Sequence, residues 1–88
     1  ALFSKSPIKR LGRDRFLRNV AIACGNSGLA RYVPPLTELL SDEASVVRGA
    51  AVWALAVLLE PAAWQALKAA HLPGESDPDV RTEWEAGA

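Results

Sequence analysis

Apolar residues recur along this chain at helical spacing, in blocks separated by turn residues. Phe16, Val20 and Ala23 fall at i, i+4 and i+7, with Leu17 and Ala21 beside them. That spacing predicts one apolar face on a helix from about Arg13 to Cys24, with Arg13, Asp14, Arg15 and Arg18 on the wet face. Ahead of it, Ser6-Pro7 reads as a helix start. Serine accepts hydrogen bonds from unpaired backbone N–H groups, and proline at the first helical position loses none. A short helix Pro7–Leu11 is expected to be interrupted at Gly12. Gly25-Asn26-Ser27-Gly28 reads as the stop, because glycine and asparagine tolerate the left-handed backbone that closes a helix.

A helix is predicted over Leu29–Ser41, with Val33, Leu36, Leu39 and Leu40 apolar. Pro34 and Pro35 lack backbone donors, so they either kink this helix or mark its first turn. After the polar turn Asp42–Ser45 comes Val46–Leu59, the most apolar helix. It is apolar nearly all round and carries Gly49, Ala50, Ala51, Ala54 and Ala56, so it is expected to be the central buried helix. Glu60-Pro61 starts the next, with Trp64 and Leu67 at helical spacing, and Leu72-Pro73-Gly74 breaks it. Ser76-Asp77-Pro78 starts a last short helix with Val80 and Trp84. About five to six short helices make the fold class all-α.

Half of the 88 residues are hydrophobic and alanine is abundant, which favours closely packed helices over strands. The length fits one domain, 1–88, with one thin core. The first residue is Ala1 and methionine is absent, so the chain reads as a piece of a longer protein. No apolar run approaches the ~20 residues that span a membrane. Cys24 is the only cysteine, so no internal disulfide can form, and a reducing, cytoplasmic setting is expected.

Charge changes the picture more. Residues 1–31 carry seven basic residues against Asp14 alone, a net +6, whereas residues 32–88 carry three basic against nine acidic, a net −6. The zero total therefore conceals one end suited to a polyanion.

The chain also repeats itself. FLRNVAIACGNSG (16–28), VVRGAAVWALAVL (46–58) and DVRTEWEAGA (79–88) each place an arginine after an apolar residue and before a helix. The arginines, Arg18, Arg48 and Arg81, are spaced by 30 and 33 residues, the period of a two-helix solenoid unit. A first helix with proline, L..LL, an acidic turn, VR and an alanine-rich second helix resembles a HEAT repeat. The resemblance implies an α-α superhelix of HEAT-like repeats: 5–28 a partial first unit, 29–60 the central one, 61–88 a partial last one. Asp42 and Asp77, with Arg18, Arg48 and Arg81, are expected to be turn residues, paired as Asp14/Arg18, Asp42/Arg48 and Asp77/Arg81.

The basic end carries a narrower resemblance. Ser6, Pro7, Lys9, Arg10, Gly12, Arg13, Arg18, Asn19 and the Gly25–Gly28 turn, then VRGAAVWAL (47–55), resemble the region that follows the catalytic part of tRNA epoxyqueuosine reductases. Leu2-Phe3 fits the linker into that region. The resemblance covers roughly residues 2–60. It implies a parent oxidoreductase that forms queuosine in a tRNA anticodon, using two [4Fe–4S] clusters and cobalamin held upstream of this domain. The family's cysteine-rich motif is absent here, so no catalytic residue and no cofactor is expected within these residues. The expected partners are the anticodon stem-loop of tRNA and the upstream catalytic domain, with no membrane.

Six cations to one acid between Lys5 and Arg18 are unusual for a merely solvated face. Lys9, Arg10 and Arg13 are the leading RNA-binding candidates, since they flank the expected helix break. Lys5 and Arg15 follow, with Asn19 as a possible base or ribose contact. The alternative is a HEAT module that binds protein or is structural. A contiguous apolar groove along the second helices would favour it. Cys24 reads as a small core residue, His71 as a surface residue at a helix end, and the tryptophans Trp53, Trp64 and Trp84 as core or as contacts to an absent domain, an exposed one being able to stack on a base.

Overall fold

Proline sets most of the helix starts. The computed structural model describes residues 7–87, with side chains from residue 11 onward. Helix α1 spans Pro7–Ser27, α2 Val33–Leu39, α3 Ser45–Leu58, α4 Pro61–His71 and α5 Pro78–Ala86, with 3₁₀ turns at Ala30–Tyr32 and Leu72–Gly74. Pro34 and Pro35 lie in the first turn of α2, where no intrahelical N–H bond is lost. Pro61 and Pro78 open α4 and α5 in the same way. Asp77 caps α5, its Oδ1 accepting from the backbone N–H of Asp79 at 2.8 Å and of Val80 at 3.2 Å. The start signal at Ser6 lies outside the described residues. No strand occurs among those described.

The architecture is an all-α superhelix of two stacked helix pairs, α2–α3 and α4–α5, preceded by α1. Helix α3 is its axis and packs on α1, α2 and α5. Val47, Ala51, Val52, Ala54 and Leu55 of α3 are fully buried, with Ala21 of α1, Leu36 of α2, Trp64 of α4, and Val80 and Trp84 of α5 around them. Trp64 and Trp84 stack at 5.0 Å between centroids, 26° from parallel. His71 ends α4 as expected, but its ring stacks on Trp84 at 5.9 Å and it is half-buried.

Helix α1 departs from the sequence reading in three ways. It runs unbroken through Gly12, so the expected helix Pro7–Leu11 is not separate. It also runs on through Gly25 and stops only at Gly28, whose φ of +70° is the left-handed closure. Gly25 serves packing instead. A Cβ there would sit 2.7 Å from Cζ3 of Trp53 and 3.0 Å from Cα of Ala54. That close approach explains the third difference. The inward row is half-buried Leu17 with buried Ala21 and Gly25, while Phe16 (66% exposed), Val20 and Ala23 face outward. An alanine-rich α3 admits a neighbour through its small residues, and a phenylalanine in that row would hold the helices apart.

Helix α3 differs as well. Its inner faces are buried, but Val46, Trp53 and Val57 remain 54%, 36% and 53% exposed. The helix expected to be buried all round therefore keeps one apolar flank uncovered.

Candidate functional site

The turns between paired helices are held by arginines, with partners that differ from the expected ones. Arg48 sends its Nη1 to the main-chain oxygen of Asp42 at 2.8 Å, and its Nε and Nη2 to the two carboxylate oxygens of Glu75 at 2.9 and 3.0 Å. Arg81 clamps the main-chain oxygens of Leu72 at 3.0 Å and Glu75 at 2.8 Å through Nη1. Arg48 and Arg81 are thus turn residues, each gripping a carbonyl six residues back. Asp42 is also a turn residue, but its carboxylate takes Arg13, and it accepts from the backbone N–H of Ala44 at 2.9 Å. Glu75 accepts from Asp77 N–H in the same fashion, at 2.9 Å. Asp42 and Glu75 are 33 residues apart, which is also the Arg48–Arg81 spacing. The sequence reading aligned Asp42 with Asp77 and so missed Glu75.

These bonds set the electrostatics. The Arg13 guanidinium, followed by the Ala44 N–H, holds the Asp42 carboxyl below its ordinary value, although burial opposes this. Arg48 lowers Glu75 by the same means, and Glu75 raises Arg48 in return. Arg13 is raised by its bonds to Asp42 and then Asp14. Hydrogen-bonded ion pairs favour the charged forms of both partners.

Arg13, a leading RNA candidate, therefore lies on a continuous helix and is engaged by Asp42 and Asp14. The helix break at Gly12, around which the leading candidates were expected to converge, does not form. Lys5 lies outside the described residues. Lys9 and Arg10 lie on α1 with side chains outside them. Arg15 and Arg18 are exposed on α1 and line a concavity of about 690 Å³ with Leu11, Asp14, Asn19, Ala44, Ser45 and Val46. Arg18 donates to Asn19 Oδ1 at 3.3 Å, and the expected Asp14/Arg18 pair is replaced by Arg13–Asp14.

The concavity opens on the start of α3. Ala44 precedes that helix with no side-chain cap. The backbone N–H groups of Ser45 and Val46 find no acceptor among the described residues, whereas those of Val47 and Arg48 bond Ala44 O at 3.1 Å. An uncapped helix start concentrates partial positive charge. Arg13, Arg15 and Arg18 outnumber Asp14 and Asp42 by one positive charge beside this start, with Arg15 and Arg18 outside the Arg13 pairs. Sequence reasoning found the arginines and Asn19 but not Ser45, because the absent cap is visible only once the start of α3 is placed.

A second groove, of about 400 Å³, runs between α1, α3 and α5. Its floor is Ile22, Val46, Gly49, Ala50 and Trp53. Arg18 edges it on the α1 side, and Asp77, Asp79 and Glu83 on the α5 side. Among the described residues, no group of three His, Cys, Asp or Glu side chains is placed to hold a metal ion. The single thiol, Cys24, does not fit a four-thiolate cluster. No described helix is long and apolar enough to cross a membrane.

Against known protein families, the chain matches HEAT repeats over residues 8–87. No curated protein and no solved structure matches it.

Proposed function

The chain belongs to the HEAT-repeat family, whose members are structural and interaction modules, and on that premise we propose that it docks RNA through the basic side of α1. The observation that carries this reading is the cationic concavity at the start of α3. Exposed Arg15 and Arg18 flank two unbonded N–H groups, with Asn19 beside them. That combination suits a phosphate: guanidinium forks and helix-start amides both bind its oxygens. The net +6 over residues 1–31 supplies the longer-range attraction that a polyanion follows.

The narrower form of the proposal is that the RNA is the anticodon stem-loop of a tRNA. The domain would then be the non-catalytic, cytoplasmic docking part of an epoxyqueuosine reductase. The motif resemblance at Ser6–Gly28 and Val47–Leu55 supports it. Reduction, and the iron–sulfur clusters and cobalamin that supply it, would belong to the catalytic domain, with no step assigned to these residues.

Fluorescence anisotropy of a labelled anticodon stem-loop tests the reading. Binding is expected to be weak and to fall steeply with salt, since released counterions drive it. Arg15→Ala and Arg18→Ala are each expected to flatten the log–log salt slope by about one unit. Salt-independent binding, or binding indifferent to both changes, would sink the proposal.

A second reading, a protein-interaction module, is favoured by a different observation: the apolar groove along α1, α3 and α5. This groove adjoins the cationic concavity and shares Arg18, Ser45 and Val46 with it.

A further inference from the structure

Helix α3 is apolar nearly all round, yet Val46, Trp53 and Val57 are left on an exposed flank. Their spacing, i, i+7 and i+11, puts them in one row about 16 Å long, three helical turns. A row of that length and spacing matches the seam an amphipathic helix presents to a groove. Glycine at 49 keeps the floor low. A Cβ there would lie 3.9 Å from Glu83 Cγ and Val80 Cγ2, an ordinary contact distance, so the α5 side chains border the floor without crowding it.

The two sides of the groove differ in charge. Asp79 and Glu83 on α5 form no ion pair among the described residues, and Asp77 adds a third carboxylate that also caps its own helix. Arg18 stands opposite. RNA is disfavoured here, because a phosphate backbone entering the groove would meet the α5 carboxylates. We propose that this groove docks an amphipathic helix of a partner protein. Its apolar row would lie over Val46 and Trp53 in the groove and continue over Val57 beyond it, and its Lys or Arg residues would face Asp79 and Glu83. The inference rests on the protein-interaction reading; its groove shares Arg18, Ser45 and Val46 with the cationic concavity, and the stem-loop outcome below separates it from the RNA reading. Charge of this kind selects partner and orientation more than it adds affinity.

Trp53 provides the readout, because Trp64 and Trp84 are 2% and 1% exposed and only Trp53 faces the groove. The probes are two tryptophan-free synthetic helices of about twelve residues. Each has a Leu/Ala face; one has a lysine edge, the other a glutamate edge. The lysine-edged helix is expected to shift Trp53 emission to the blue, saturably. Trp53→Phe is expected to remove the signal. The Asp79→Asn, Glu83→Gln double variant is expected to weaken binding roughly fivefold, and the glutamate-edged helix to bind about tenfold more weakly. Equal binding of both helices would overturn the inference and leave the protein-interaction reading standing. No shift with either helix would overturn both. A shift driven by protein concentration alone would assign the groove to a second copy, and one driven by the stem-loop would assign it to RNA. Either result overturns the proposal.

Discussion

Gly25 shows how one residue type takes opposite meanings. Within GNSG it reads as a helix stop, yet it is helical and buried, and α1 meets α3 there. A methyl group at this position would press on Trp53, whose ring can turn, and on the Ala54 backbone, which cannot. Gly25→Ala is therefore expected to cost about 1–2 kcal/mol. Overpacking of that kind costs about 1–3, offset in part by the better helix propensity of alanine. Denaturant unfolding measures it, and an unchanged or raised midpoint would contradict the close approach. Gly28, three residues on, does what the sequence suggested, with its φ of +70°. Nothing local separates the two glycines. What separates them is whether another helix lies alongside.

At the scale of elements, the helix starts were legible and the interior of α1 was not. Proline and Asp77 mark α4 and α5 because their effect is confined to the first turn, whereas the helix expected from Leu29 starts only at Val33, after a 3₁₀ turn, with Pro34 and Pro35 in its first turn. Gly12 was read as a break because it weakens a helix, but weakening is not breaking. Propensity differences near 1 kcal/mol yield to tertiary packing. Nothing lies within 4 Å of a Cβ built at Gly12, and its backbone is helical. Gly12→Ala is thus expected to stabilise by about 0.5–1 kcal/mol, the reverse of the same change at Gly25. Thermal unfolding followed by circular dichroism checks it. Destabilisation by Gly12→Ala would point to a real break there. The apolar face of α1 was misread for a related reason. Phe16, Val20 and Ala23 form as regular a row as Leu17, Ala21 and Gly25. Periodicity identifies rows, and only the partner's shape chooses among them.

At the scale of the whole molecule, the arginine latches join the stacked units. Arg13–Asp42 ties α1 to the first turn, and Arg48–Glu75 ties that turn to the next. Glu75 and Arg48 are largely covered, at 9% and 17% side-chain exposure. Losing one partner leaves the other poorly solvated. Arg48→Ala is expected to cost about 2–3 kcal/mol, and a double-mutant cycle with Glu75→Ala to show about 1–2 kcal/mol of coupling. A coupling near zero would remove the latch from the account. Both carboxylates have folded-state pKa values below their ordinary 3.8 and 4.5, so their contribution is present above that range and lost as pH falls through it. Stability is expected to be flat from neutral pH to about 5 and to drop below it, less steeply in Glu75→Gln. The sequence alone determined the all-α class, the two-helix period, the starts of α4 and α5 and the charge split between the ends. These depend on neighbours within a few residues or on simple counts. Only the tertiary structure decided which acid each arginine holds, which row of α1 is buried, and that α3 keeps an exposed apolar flank. Each turn offers several carboxylates and each helix several rows. The choice among them is made by side chains some thirty residues away, and no local pattern encodes that distance.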